Sequence, residues 1–207
     1  GIYEENFRHN DDGLEFTFAV NVLAPYVITG RLLDLIAKAP DGGRVVNVAS
    51  HVAAYSADFD NLQFEKGGYN GHAAYALSKL LDIMYTAELA RRAPRGITCN
   101  ALHPGVVNTK MLRNGWGVGG NHVQKLASQS RSSTGGIFMV NCVILFSVDP
   151  SSANDEFHLA TSGDIKAITG KFFINRNMST PPPPAQSDVA CARLWRVLED
   201  LSGFRYV

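Results

Sequence analysis

Apolar and polar positions along the chain alternate between two periods. Leu14, Phe18, Val22 and Tyr26 recur at helical spacing behind Asp12, a plausible N-cap, and predict a helix running to about Lys38. Pro25 should bend it, and Pro40 with Gly42 should end it. Arg44 to Ala49, with Val45, Val46 and Val48, is a β-branched run bounded by Gly43 and predicts a buried strand. A polar loop follows from His51 to Gly71. Ala73 to Arg92 is rich in Ala and Leu with arginines in its last turn, which predicts a second helix. Ile97 to Leu102 reads as a strand closed by Pro104 and Gly105, Thr134 to Ser147 as a buried helix, and Lys171 to Ile174 as a third strand. Asp188 to Leu201 is a terminal helix capped by Asp188 and stopped by Gly203, with Pro181 to Pro184 as a stiff connector into it. Apolar rather than alternating strands, separated by helices, imply an α/β fold with a parallel sheet covered on both faces, in one domain spanning residues 1–207.

Composition narrows the class. The 207 residues are 45% hydrophobic, enough for one substantial core. Nineteen basic residues balance nineteen acidic ones, so charge offers no reason to expect nucleic acid or an anionic membrane as partner. Cys99, Cys142 and Cys191 are odd in number and far apart, which argues against a disulfide framework or zinc site and for a reducing compartment, the cytoplasm or the cytosolic face of a membrane. The most apolar stretch, Ile137 to Val148, is shorter than the roughly twenty residues a membrane span needs. Asn177-Met-Ser179 matches a glycosylation sequon, read as chance because no secretory signal is visible.

The sharpest chemical signal is Tyr75-Ala-Leu-Ser-Lys79. Positions i and i+4 share a helix face, so phenol and ammonium point into one space. At roughly 5 Å and an effective dielectric of about 20, the ammonium favours phenolate by about 3 kcal/mol, which brings a group of pKa near 10 into reach of acid–base work. The pair alone also fits an ordinary helix surface; its neighbours decide. Ser50 ends the first strand at its C-terminal end, where ligands bind in open α/β sheets. His103-Pro-Gly-Val-Val-Asn-Thr109 leaves the next strand the same way, with a turn that exposes backbone N–H groups and a hydroxyl on Thr109.

Asn21, Ser50, Tyr75 and Lys79, with the Pro104-Gly105 turn, resemble the catalytic tetrad and nicotinamide loop of classical short-chain dehydrogenases/reductases. Asp60-Asn-Leu-Gln, Tyr69, Ala74-Tyr75 and Gly170-Lys-Phe-Phe resemble its retinol-dehydrogenase-like branch, which includes the WW-domain oxidoreductase. The resemblance implies a Rossmann-type doubly wound sheet, of which this chain is the C-terminal catalytic part, starting after the fourth strand and lacking the first strands and Gly-rich phosphate turn. It implies that Tyr75 exchanges a proton with the substrate oxygen, Lys79 lowers the tyrosine pKa and bonds the nicotinamide ribose, Ser50 polarises the carbonyl, and Asn21 holds a water. Tyr75, Lys79, Pro104, Gly105, the Val107 backbone and Thr109 would hold the nicotinamide side of NADP or NAD, with NADP slightly favoured. The substrate class it implies is an apolar alcohol, aldehyde or ketone of retinoid, steroid or lipid kind.

The Gly115-x-Gly117-x-x-Gly120 match is not the dinucleotide fingerprint: no strand precedes it and no acidic residue occurs from Lys110 to Val148, so it reads as a substrate-side loop. A chain without its first strands should present an unpaired sheet edge, an aggregation hazard. Two rivals remain. Ser50 with His51 and Asp58 suggests a serine hydrolase, opposed by the absence of a G-x-S-x-G elbow. The other is an inactive binding module that forms a homodimer through the Ala73–Arg92 helix.

Overall fold

The computed structural model describes residues 1–105 and 154–206. The predicted Thr134–Ser147 helix, Val107, Thr109, Cys142 and the Gly115–Gly120 loop lie outside the described residues.

The first helix begins later than its sequence suggests. Asn10 Oδ1 accepts from the backbone N–H groups of Asp12 and Leu14, closing a turn over Asp12. The cap is Glu15, whose carboxylate accepts from Thr17 N and Phe18 N. Helix α1 (Phe16–Phe18) passes through a π-helical turn (Ala19–Leu23) into α2 (Ala24–Ile36). Pro25 follows on the π turn, in the first turn of α2, where the helix changes its hydrogen-bonding period. Taken together, Phe16–Ile36 is long and apolar enough to cross a membrane by length and composition, with mean hydropathy 1.4, which corrects the expectation that no segment is. Half of that window is buried inside the protein, where Phe18, Val22, Tyr26 and Leu33 join the core.

Strand β1 (Gly43–Val48) leads through helix α3 (Gly71–Arg92) to strand β2 (Ile97–His103), which pairs parallel to β1. Helix α3 is capped by Asn70, whose side chain accepts from His72 N and Ala73 N, and ends on Arg91 and Arg92, which complement the helix dipole. Helix α4 (Asn154–Thr161) was not expected from the sequence; strand β3 (Phe172–Ile174) then pairs parallel to β2. A tight turn through Asn175 and Arg176, both at positive φ, returns the chain as β4 (Asn177–Ser179), antiparallel to β3. The sheet is therefore mixed, in the order β1-β2-β3-β4, with β1 at one edge among the described residues. The prolines form a short 3₁₀ turn (Pro183–Gln186), and helix α5 (Asp188–Ser202) is capped by Ser187 rather than Asp188, ending on left-handed Gly203.

Both faces of the sheet are covered, which is why its strands lack polar alternation. Val45, Cys99, Ala101 and Phe172 face α2, α3 and α5, whereas Val46, Leu102 and Phe173 pack with Leu159 of α4 and with Ile165. Helix α3 gives most of its surface to its own chain; its exposed positions are His72, Ala73, Arg91 and Arg92. Asn47 Nδ2 donates to Thr86 Oγ1 at 2.6 Å, a buried bond that fixes α3 over β1. The chain closes on an aromatic cluster of Tyr26, Tyr85, Trp195 and Tyr206, in which Tyr206 Oη donates to the Tyr26 carbonyl and Tyr26 Oη to that of Phe204. Gly30 makes this possible, since a Cβ there would overlap the Phe204 ring.

Candidate active site

Five of the predicted residues, Ser50, Tyr75, Lys79, Pro104 and Gly105, meet at the C-terminal ends of β1 and β2. Val48 pairs with Leu102, and Ala49 N donates to the Leu102 carbonyl at 2.8 Å, so Ser50 and the Pro104-Gly105 turn leave neighbouring strands side by side. Pro104 and Gly105 are half-buried, and Gly105 takes φ +82 with no atom of the described residues, its chain neighbours apart, within 4 Å of where a Cβ would stand, a conformation suited to a turn. Tyr75 and Lys79 come from the same face of α3 and are 6% and 5% exposed. The Ser50 hydroxyl, which accepts from Val52 N at 3.3 Å, acts on the Tyr75 phenol and draws its pKa down. Lys79 Nζ lies 5.7 Å from the centre of the Tyr75 ring.

Asn21, in the middle of the π turn, is 2% exposed. Its Nδ2 donates to the Ile2 carbonyl and to Ser78 Oγ, both at 3.0 Å, and its Oδ1 accepts from Ile2 N at 2.7 Å. It thus ties the leading segment to α3 one residue before Lys79.

Electrostatics differ from the sequence estimate. Burial lifts the Tyr75 phenol above its ordinary range, Lys79 pulls it back, Asp82 lifts it again, and the Ser50 bond lowers it; the net direction is up. The estimate from spacing counted only the ammonium. It omitted the cost of charging a phenol away from water, and Asp82 itself. Lys79 Nζ donates to Asp82 Oδ2 at 2.9 Å. Burial alone would push the ammonium down, but the buried carboxylate carries it above its usual value.

Three further features escaped the sequence reading. Besides Asp82, the Tyr3 phenol bonds His72 Nδ1 at 2.9 Å, with the Tyr3 ring 6.4 Å from that of Tyr75. The third is an imidazole pair: His51 Nδ1 and His103 Nε2 are 2.8 Å apart across the two strand ends. Adjacency to Ser50 and to Pro104 was the available signal. His51 therefore turns to His103 rather than to Ser50, an arrangement unlike a serine–histidine nucleophile pair.

His103 carries a pH prediction. Burial, helped by His51, pushes its imidazole down to about 4. An unfolded histidine titrates near 6.5. Between those values the unfolded chain binds a proton that the folded chain refuses, so this residue's contribution is complete above about pH 6.5 and is lost as pH falls toward 4. The loss is about 3 kcal/mol. Urea unfolding of wild type and His103→Gln at about pH 7 and about pH 4.5 should show a steeper acid loss in the wild type; equal slopes would show that His103 is not buried neutral.

Comparison with known proteins decides the family. The short chain dehydrogenase family model matches residues 2–116, more than half of the chain. The chain belongs to the short-chain dehydrogenase family. Among its relatives, Retinol dehydrogenase 13 of Homo sapiens is 35% identical over 188 residues, covering 89% of this chain and 53% of that protein. Retinol dehydrogenase 14 of Homo sapiens is 30% identical over 205 residues, covering 98% and 56%. The similarity therefore falls within the retinol-dehydrogenase-like branch, and this short-chain dehydrogenase chain spans about half the length of the curated relatives it matches. A Mycobacterium paratuberculosis protein of known structure superposes over 100% of this chain and 66% of its own, with TM-score 0.68 at 20% identity, which supports the fold.

Proposed function

We propose that the protein carrying this chain is an NAD(P)-dependent oxidoreductase that interconverts an alcohol and a carbonyl on a small apolar substrate of retinoid, steroid or lipid kind. The observation that carries this reading is the convergence of Tyr75, Ser50 and Lys79, all buried, at the C-terminal ends of two parallel strands. Family membership and relatives named as retinol dehydrogenases support it.

The residues present fit the nicotinamide–ribose half of the cofactor. Lys79 offers a buried ammonium for ribose hydroxyls, and Pro104 and Gly105 offer a turn at positive φ beside it at the strand ends. In this reading Val107 and Thr109 complete the contact, and NADP is slightly preferred to NAD. When bound, the nicotinamide supplies or accepts the hydride. The protein's own part is to hold the substrate oxygen between Ser50 and Tyr75, to pass a proton at Tyr75 Oη, and to keep water from the reacting carbon. The Asn21 side chain locks the backbone that approaches Lys79. Buried thiols at Cys99, pushed up to about 12, and Cys191 suit a reducing compartment, taken here as the cytoplasm or the cytosolic face of a membrane.

The test is nucleotide-dependent reduction of retinaldehyde, followed by loss of reduced-nicotinamide absorbance, with NADPH and NADH compared and a short polar aldehyde as control. Reduction of the apolar aldehyde alone is expected. Neither turnover nor nucleotide binding would move the reading to a binding module that self-associates through α3.

A further inference from the structure

Asp82 lies nearly one helical turn beyond Lys79 on α3, and the two side chains are 6% and 7% exposed. Among the described residues Lys79 Nζ donates to Asp82 Oδ2 at 2.9 Å and to the Val48 carbonyl at 3.0 Å. The Asp82 backbone carbonyl accepts from Thr86 Oγ1, the same hydroxyl that anchors Asn47 of β1, so the carboxylate sits on a braced part of the helix. A buried carboxylate is costly unless paired, and most of the buried positions around it on α3 are apolar. The groups facing this cluster are Tyr75 on α3, the amino group of Gly1 and the Tyr3 phenol on the leading segment, and Ser50 with the Val48 carbonyl from β1.

We propose that Asp82 is a positioning residue acting through Lys79: it anchors the ammonium beside Tyr75 and cancels its charge, so that Lys79, Asp82 and the protonated phenol together carry no net charge and are set to donate a proton to a carbonyl. This rests on the oxidoreductase reading above. In the reductive direction the carbonyl carbon gains a C–H bond from the hydride of reduced nicotinamide, which is oxidised. The C=O π bond breaks, and the oxygen takes the Tyr75 proton. Tyr75 is left as phenolate and regains a proton from water. A neutral resting cluster keeps the phenol in its donor form across neutral pH and makes alcohol oxidation, which starts from phenolate, an alkaline reaction.

The sign is independent of which group ionises first. Losing one proton takes Tyr75, Lys79 and Asp82 together from neutral to negative in the wild type, and the Gly1 amino group contributes alike to wild type and variant. In Asp82→Asn it takes the cluster from positive to neutral, whether the proton leaves Tyr75 or Lys79, because coupled groups titrate together. The first titration should therefore fall by about one pH unit or more in Asp82→Asn, and Asp82→Glu should restore the wild-type midpoint.

The experiment is NMR titration of the full chain with isotope-labelled tyrosine and lysine, signals being assigned with Tyr75→Phe and Lys79→Met and folding checked by circular dichroism. An unchanged or raised midpoint in Asp82→Asn would overturn the proposal. If that variant does not fold, the wild type decides: Tyr75 must remain protonated above about pH 10, the ordinary phenol value, and ionisation of Tyr75 below it would also overturn the proposal. The alkaline fall of the reduction rate should move to lower pH in Asp82→Asn in step with the NMR midpoint. A shifted midpoint in a protein that reduces no carbonyl supports the charge coupling and removes the oxidoreductase reading, so the two fail separately.

Discussion

Replacing Tyr75 by phenylalanine is expected to slow carbonyl reduction by roughly 10²–10⁴-fold, the contribution of a positioned general acid. The change deletes one oxygen and leaves a ring that is buried between Tyr3 and Lys79, so packing survives. Ser50 keeps its bond from Val52 N. Nucleotide affinity should change little, since Lys79 is held by Asp82 and the Val48 carbonyl rather than by the phenol. Single-turnover rates and fluorescence titration with NADPH separate the two quantities. A variant that keeps more than about a tenth of the rate would exclude Tyr75 as the proton donor.

The second large effect is on stability. Trp195→Ala should cost about 3–5 kcal/mol, a large part of the 5–15 kcal/mol typical of a domain. Trp195 is 1% exposed, its ring centre lies 5.2 Å from that of Tyr26 and 4.7 Å from that of Tyr206, and its Nε1 donates to Glu199 at 3.0 Å. Arg92 lies 4.8 Å over the ring, a contact that would also be lost. Because Tyr26 belongs to α2 and Tyr85 to α3, the cavity would loosen both helices that deliver the site. Chemical denaturation, with the midpoint lowered and the slope unchanged, is the measurement; a loss below about 1 kcal/mol would mean that the cluster collapses to fill the gap.

How much of this was legible in the sequence depends on the range of the interaction. Ser50, Tyr75, Lys79 and the Pro104-Gly105 turn fall within one β1–α3–β2 unit, where helical and strand periods alone place them at one end of the sheet. Asn21 arrives from outside that unit and was reached only through family resemblance. Asp82 was missed because an i, i+3 ion pair on a helix is ordinarily a surface pair, and nothing local says that this face of α3 is buried. The cap at Glu15 was misplaced because Asp, Asn, Ser and Thr are the usual caps; Asp12 was instead enclosed by a turn that Asn10 closes. Strand β4 was invisible because it is three residues long and its turn places Arg176 at positive φ, which residue preference does not anticipate.

The π turn around Asn21 makes the length of this helix a functional variable. Phe18, Val22 and Tyr26 recur every fourth residue, a step that in a regular α-helix drifts by about 40° each time. The wider turn at Ala19–Leu23 absorbs that drift, so all three remain at most 2% exposed. Removing a single residue between Phe18 and Leu23 would restore α-helical phase and swing Asn21 off the Ile2 backbone while leaving every other residue of the helix in place. The segment should therefore tolerate changes of side chain far better than a change of one in length.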